Sequence, residues 1–79
     1  MKASEKQVEY SITQIGLKLK ELRLQSGYSS YETFALDNDL DRKQYWRIEN
    51  GSNITLKSLI TILMIHKITL KDFFKDFKD

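Results

Sequence analysis

The run from Ser29 to Gly51, S-S-Y-E-T-F-A-L-D-N-D-L-D-R-K-Q-Y-W-R-I-E-N-G, constrains the fold of this chain more than any other segment. Ser30 is a favoured N-cap, and Phe34 and Ala35 fall on the inward face of the short helix it would start. Asp37-Asn38-Asp39 marks a turn, because these side chains hydrogen-bond nearby backbone and tolerate left-handed φ. Leu40 plugs that turn. Asp41 then caps another short helix, with Tyr45 and Ile48 facing inward and Asn50-Gly51 as its stop. This helix carries Arg42, Lys43, Gln44 and Arg47 along one side. Long cationic and amide side chains of this kind can reach base edges in the major groove of DNA.

The flanking segments are also helical in pattern. Ser4-Glu5-Lys6-Gln7 and Ser11-Ile12-Thr13-Gln14 both match the capping box, so either serine could open the first helix. Val8, Ile12, Ile15, Leu19 and Leu22 recur at alternating steps of four and three, an amphipathic stripe that Gly27 would terminate. Tyr10, Leu17 and Leu24 lie nearly opposite that stripe. They are either scattered surface residues or a partner or dimer surface. Ser52-Asn53-Ile54 reads as a loop, after which Thr55 caps a fourth helix bearing Leu56, Leu59, Ile62 and Leu63. Thr69 opens a last short helix bearing Leu70, Phe73, Phe74 and Phe77. Phe73 and Phe74 are expected to complete the core, and Phe77 to contact a dimer partner or pack on an extended first helix. Five helices with brief connections make a compact all-α bundle, one domain over residues 1–79 with 1–10 as a candidate extension.

Composition narrows the classes. Proline is absent and glycine occurs three times, which disfavours turn-rich β architectures. Without cysteine there is no disulfide or thiolate metal chemistry, and the lone His66 cannot anchor a metal site. No apolar run approaches the roughly 18 residues that cross a bilayer, and Met1–Lys6 lacks the apolar core of a signal peptide. The expectation is a cytoplasmic protein that uses no cofactor. The formal net charge of +2 supports nucleic-acid binding only weakly. Its distribution matters more: Glu32, Asp37 and Asp39 make residues 28–40 acidic, whereas 41–51 carry three bases against two acids.

From about Ile15 to Phe74 the chain resembles the lambda-repressor/Cro type, or XRE, helix-turn-helix family. The resemblance is carried by I-G-L-K-L-K-E-L-R at 15–23, Gly27, Ser30-x-Glu32-x-Phe34-Ala35, R-I-E-N-G at 47–51, T-L-K-S-L-I-T-I-L at 55–63 and I-T-L-K-D-F-F at 68–74. It implies a five-helix DNA-binding domain, usually a dimer on a palindromic operator, with residues 41–50 as recognition helix. Arg42, Lys43 and Gln44 would occupy its base-reading first turn, with Arg47 one turn on. Ser30 and Tyr31 would meet the phosphate backbone on one side, and Asn50 with the following loop on the other. Asp39 stands where the family usually has Gly, Tyr31 where it often has Gln, Lys67 where Gly is common and His66 where Leu is usual.

Three residues admit a second role. Trp46 could touch sugar, a thymine methyl or phosphate, or could cover the edge of the core, and the structural role is favoured. Glu49 matches the acid that ends the family's third helix, and the family position suggests pairing with Arg23. His66 is expected at a core position near a helix end. The leading function is a small transcriptional regulator binding duplex DNA as a homodimer. The alternative is a protein-binding module, such as the antitoxin of a toxin–antitoxin pair, using Tyr10, Leu17, Leu24 or Phe77. An enzyme is disfavoured, since no phosphate loop, nucleophile–His pair or metal cluster is present.

Overall fold

The computed structural model describes residues 4–77. It comprises α1 (Glu5–Gln25), α2 (Tyr31–Asp37), α3 (Arg42–Glu49), α4 (Leu56–Ile65) and α5 (Leu70–Phe74), with no strand among the described residues. The fold is the expected all-α five-helix bundle.

The helix ends follow from local chemistry. Ser4, Ser30, Asp41, Thr55 and Thr69 are the five N-caps, and each side chain accepts a hydrogen bond from the backbone N–H three residues on. That bond satisfies one of the free amides of the first turn. Ser4 opens α1, and Ser11 lies inside the helix. The first four helices end alike, with a positive φ at Gly27, Asp39, Gly51 and Lys67. In each case the next residue's N–H reaches back to a carbonyl of the last turn: Tyr28 to Arg23, Leu40 to Ala35, Ser52 to Arg47 and Ile68 to Leu63. This is the Schellman closure, which requires a left-handed residue. Asp39 and Lys67 therefore adopt the glycine-like conformation despite their β-carbons.

The core comprises Leu19, Phe34, Ala35, Tyr45, Ile48, Leu59, Ile62, Leu63 and Phe73. Phe34 is its hinge, with its ring centroid 5.2 Å from Tyr28, 5.1 Å from Tyr45 and 5.2 Å from His66. Four apolar expectations fail, and Leu70, 42% exposed at the start of α5, is one of them. Val8 is exposed, because residues 5–10 of the 21-residue α1 run past the shorter elements it packs on. Leu56 is 74% exposed, because Leu59, Ile62 and Leu63 already define the inward side of α4. Phe74 is 37% exposed, because the five-residue α5 turns only Phe73 fully inward. Phe74 and Phe77 instead pack on the edges of Phe73, with centroids at 4.9 and 5.5 Å. Phe77 is half-buried and shares a groove with Tyr10 and Leu17, so it lies against the first helix. Lys18 and Asp76 approach within 3.7 Å at the same place.

Candidate nucleic-acid interface

Two features of α1 hold α3. Gly16 sits against the last turn of α3, where a β-carbon would run into the Ile48 carbonyl oxygen and come within 3.0 Å of that of Glu49. About two helical turns further along, Arg23 clamps the same turn. Its Nε donates to Glu49 Oε2 at 2.8 Å and its Nη2 to Oε1 at 3.0 Å, while Nη1 donates to the Tyr28 carbonyl at 2.8 Å. Both partners are buried. The Glu49 hydrogen bond holds the guanidinium above its ordinary range, outweighing the opposing effect of burial. A two-pronged Arg–carboxylate pair is directional as well as strong, so it sets the rotation of α3. The pairing expected from family position is present.

The rotation decides which side chains face out. Tyr45, Ile48 and Glu49 are buried, whereas Arg42, Lys43, Gln44, Trp46, Arg47 and Asn50 are exposed. At about 100° per residue, Arg42, Trp46, Asn50, Lys43 and Arg47 fan across an arc of about 140°. Trp46, half exposed, falls inside that arc among the cations. The favoured expectation of a core-edge cap is therefore not met: Trp46 lies on the outward face. Gln44 lies at the margin, where it borders a groove with Tyr45 and Ile48 of α3 and Lys57, Ser58 and Thr61 of α4. On the other margin Lys43 and Arg47 border a recess with Ser52 and Asn53 of the α3–α4 loop.

The remaining expected contacts are partly committed elsewhere. The Ser30 hydroxyl oxygen accepts from Thr33 N–H, which leaves its own proton to donate. Tyr31 is half-buried and packs against the core. Asn50 Nδ2 donates to the Trp46 carbonyl at 2.8 Å, so one amide proton is used within the helix. Two of the acids of α2 have partners. Asp37 accepts from the Tyr28 hydroxyl at 2.9 Å, and Glu32 Oε2 lies 3.3 Å from Arg42 Nη1. The Glu32–Arg42 contact was not legible in the sequence, because a ten-residue separation across a turn carries no periodic signal. Gly16 was legible only as part of a family string.

Two buried polar atoms lack hydrogen bonds among the described residues, Tyr45 Oη and His66 Nε2. Burial, then the neighbouring Glu49 carboxylate, pushes the Tyr45 phenol far above its ordinary range. It is a neutral part of the wall behind α3. His66 is half-buried, at the C-cap of α4 and stacked on Phe34. Among the described residues no helix is long and apolar enough to cross a membrane.

No family model and no solved structure matches the chain. A 62-residue span is 45% identical to Control protein C.MunI from Mycoplasma sp, covering 77% of this chain and 84% of that protein. At that identity over most of both lengths, the chain belongs to the helix-turn-helix family of control proteins that includes C.MunI.

Proposed function

We propose that this chain is a small transcriptional regulator that binds duplex DNA as a homodimer and reads the major groove with α3. The observation that carries the reading is the outward face of that helix. Arg42, Lys43 and Arg47 project from an element whose rotation is set by the buried Arg23–Glu49 pair. Arg42, Lys43 and Gln44 are assigned to base edges, where a guanidinium or ammonium suits guanine and a carboxamide suits adenine. Arg47 and Trp46 flank them, and Ser30, Tyr31, Asn50 and the 52–53 loop are assigned to phosphates. The family likeness supports a regulatory rather than an enzymatic role.

A homodimer needs a self-complementary surface. Leu56, Ile60 and Met64, exposed at steps of four along α4, are assigned to it. Tyr10, Leu17 and Leu24 are also exposed on α1, and this favours a second reading in which that strip docks a protein partner.

Selection of bound duplexes from a random pool tests the first reading, with the Arg42→Ala/Arg47→Ala double variant beside the wild type. A palindromic motif with half-sites about one helical turn apart, lost in the variant, is the expected result. Enrichment of the same sequences by both proteins would sink the assignment of α3 and turn attention to the α1 strip.

A further inference from the structure

The contact between Glu32 in the first turn of α2 and Arg42 in the first turn of α3 has no evident structural purpose. Arg42 Nη1 and Glu32 Oε2 are 3.3 Å apart, with side chains 66% and 55% exposed. A single solvated ion pair of this kind adds little to folding. It does, however, join the helix whose start is assigned to phosphate to the first cation of the helix assigned to bases. Neither Lys43 nor Arg47 has an ion-pair partner within 4.0 Å among the described residues. Of the three cations on this face, Arg42 is the restrained one.

We propose that Glu32 is a positioning residue that determines specificity. Its carboxylate holds the Arg42 guanidinium at the α2–α3 edge, presenting its free N–H groups to a base in one geometry and withholding the charge from phosphates. The inference rests on the reading of α3 as the base-contacting helix. An unrestrained arginine samples many rotamers and binds any phosphate within reach, adding affinity without sequence information. A guanidinium carries five N–H donors, so one bond to Glu32 leaves the rest for a guanine edge. The carboxylate also repels phosphate, which penalises any register in which Arg42 leaves it for the backbone.

The test compares dissociation constants for the selected operator and a random duplex over a series of salt concentrations. The proteins are wild type, Glu32→Gln and Glu32→Asp, each with and without Arg42→Ala, and all are checked for unchanged thermal unfolding. Glu32→Gln should tighten random-duplex binding and steepen its salt slope by about one phosphate equivalent. It should also lower the operator-to-random ratio roughly fivefold to tenfold, the lower end of what one good base contact contributes. Glu32→Asp, which keeps the charge but is a methylene too short, should shift the ratio the same way. With Arg42→Ala already present, Glu32→Gln should leave the ratio unchanged.

The proposal is overturned if Glu32→Gln preserves the ratio, if it lowers the ratio equally without Arg42, or if Glu32→Asp behaves as wild type. If the wild type does not discriminate operator from random duplex, base reading by α3 falls and this inference with it. Discrimination that is indifferent to Glu32 removes this inference alone.

Discussion

Gly16 on α1 lies so close to the Ile48 carbonyl oxygen on α3 that no β-carbon fits between the two helices. Two opposed effects meet there. Alanine in place of a mid-helix glycine gains about 0.5–1 kcal/mol in helix propensity. The obstacle, however, is backbone rather than a side chain that could swing aside, and overpacking of this sort costs about 1–3 kcal/mol. The clash should win. Gly16→Ala is expected to lower unfolding stability by about 1–2 kcal/mol in a denaturant titration. It should weaken DNA binding too, because the displaced element is α3. A stabilised variant would mean that the helices separate freely.

The Arg23–Glu49 pair predicts a non-additive result. Glu49→Gln or Arg23→Met alone leaves a buried group without its counter-charge and is expected to cost about 3–5 kcal/mol. Replacing both by apolar residues of similar volume removes both desolvation penalties and should recover much of that loss. A double-mutant cycle by chemical denaturation checks it. Additive losses would show that the pair is not energetically coupled.

His66 predicts a pH dependence. Burial against Phe34, with Nε2 unpartnered, holds the imidazole below its ordinary value of 6.5. The unfolded chain therefore binds this proton more readily, and protonation favours unfolding. The stability involved is fully present above the unfolded value of 6.5 and declines as pH falls below it. Thermal unfolding of the wild type should drop more between about pH 7.5 and about pH 5.5 than that of His66→Leu, which cannot titrate there. Equal drops would place the acid sensitivity in the carboxylates.

Lys67 predicts a gain. Its φ of 58° costs a residue with a β-carbon about 1–2 kcal/mol, whereas glycine costs about 0.5–1 kcal/mol in extra unfolded-state entropy. Lys67→Gly should stabilise by about 0.5 kcal/mol, a rise of roughly 2–4 °C in unfolding midpoint for a domain of this size. An unchanged midpoint would mean that the lysine side chain offsets the strain through contacts of its own.

Local order was largely legible in the chain itself. Each N-cap is a hydroxyl or carboxylate whose preference does not depend on the rest of the molecule, and Gly27, Gly51 and the Asp37–Asp39 turn mark the stops where they occur. The inward positions Phe34, Ala35, Tyr45, Ile48, Leu59, Ile62, Leu63 and Phe73 follow from helical period alone. The Arg23–Glu49 pair did not; it came from family likeness, since two residues 26 apart share no local signal.

Short helices were where periodicity ran out. In α5 the phenylalanines 73, 74 and 77 all read as inward, and only the packing of five residues against α1 and α4 left Phe74 on the rim. Val8 and Leu56 lie on apolar stripes yet face solvent, because an apolar stripe states what can be buried and not whether a neighbour arrives to bury it. Trp46 faces outward for the same reason. Its orientation follows from the rotation of α3, which Gly16, Arg23 and Glu49 set from another helix.

The sequence by itself determined the order of five helices, four of their starts and the first three stops, because caps, left-handed stops and 3.6-residue periodicity act within a few residues; it left Ser4 and Ser11 open for α1 and carried no stop signal at Lys67. Only the tertiary structure decided that Trp46 joins the outward face of α3, that Glu32 lies against Arg42, and that the half-buried His66 leaves Nε2 without a partner. Those outcomes depend on close approach between elements distant in the chain, and no local energy term encodes such distances.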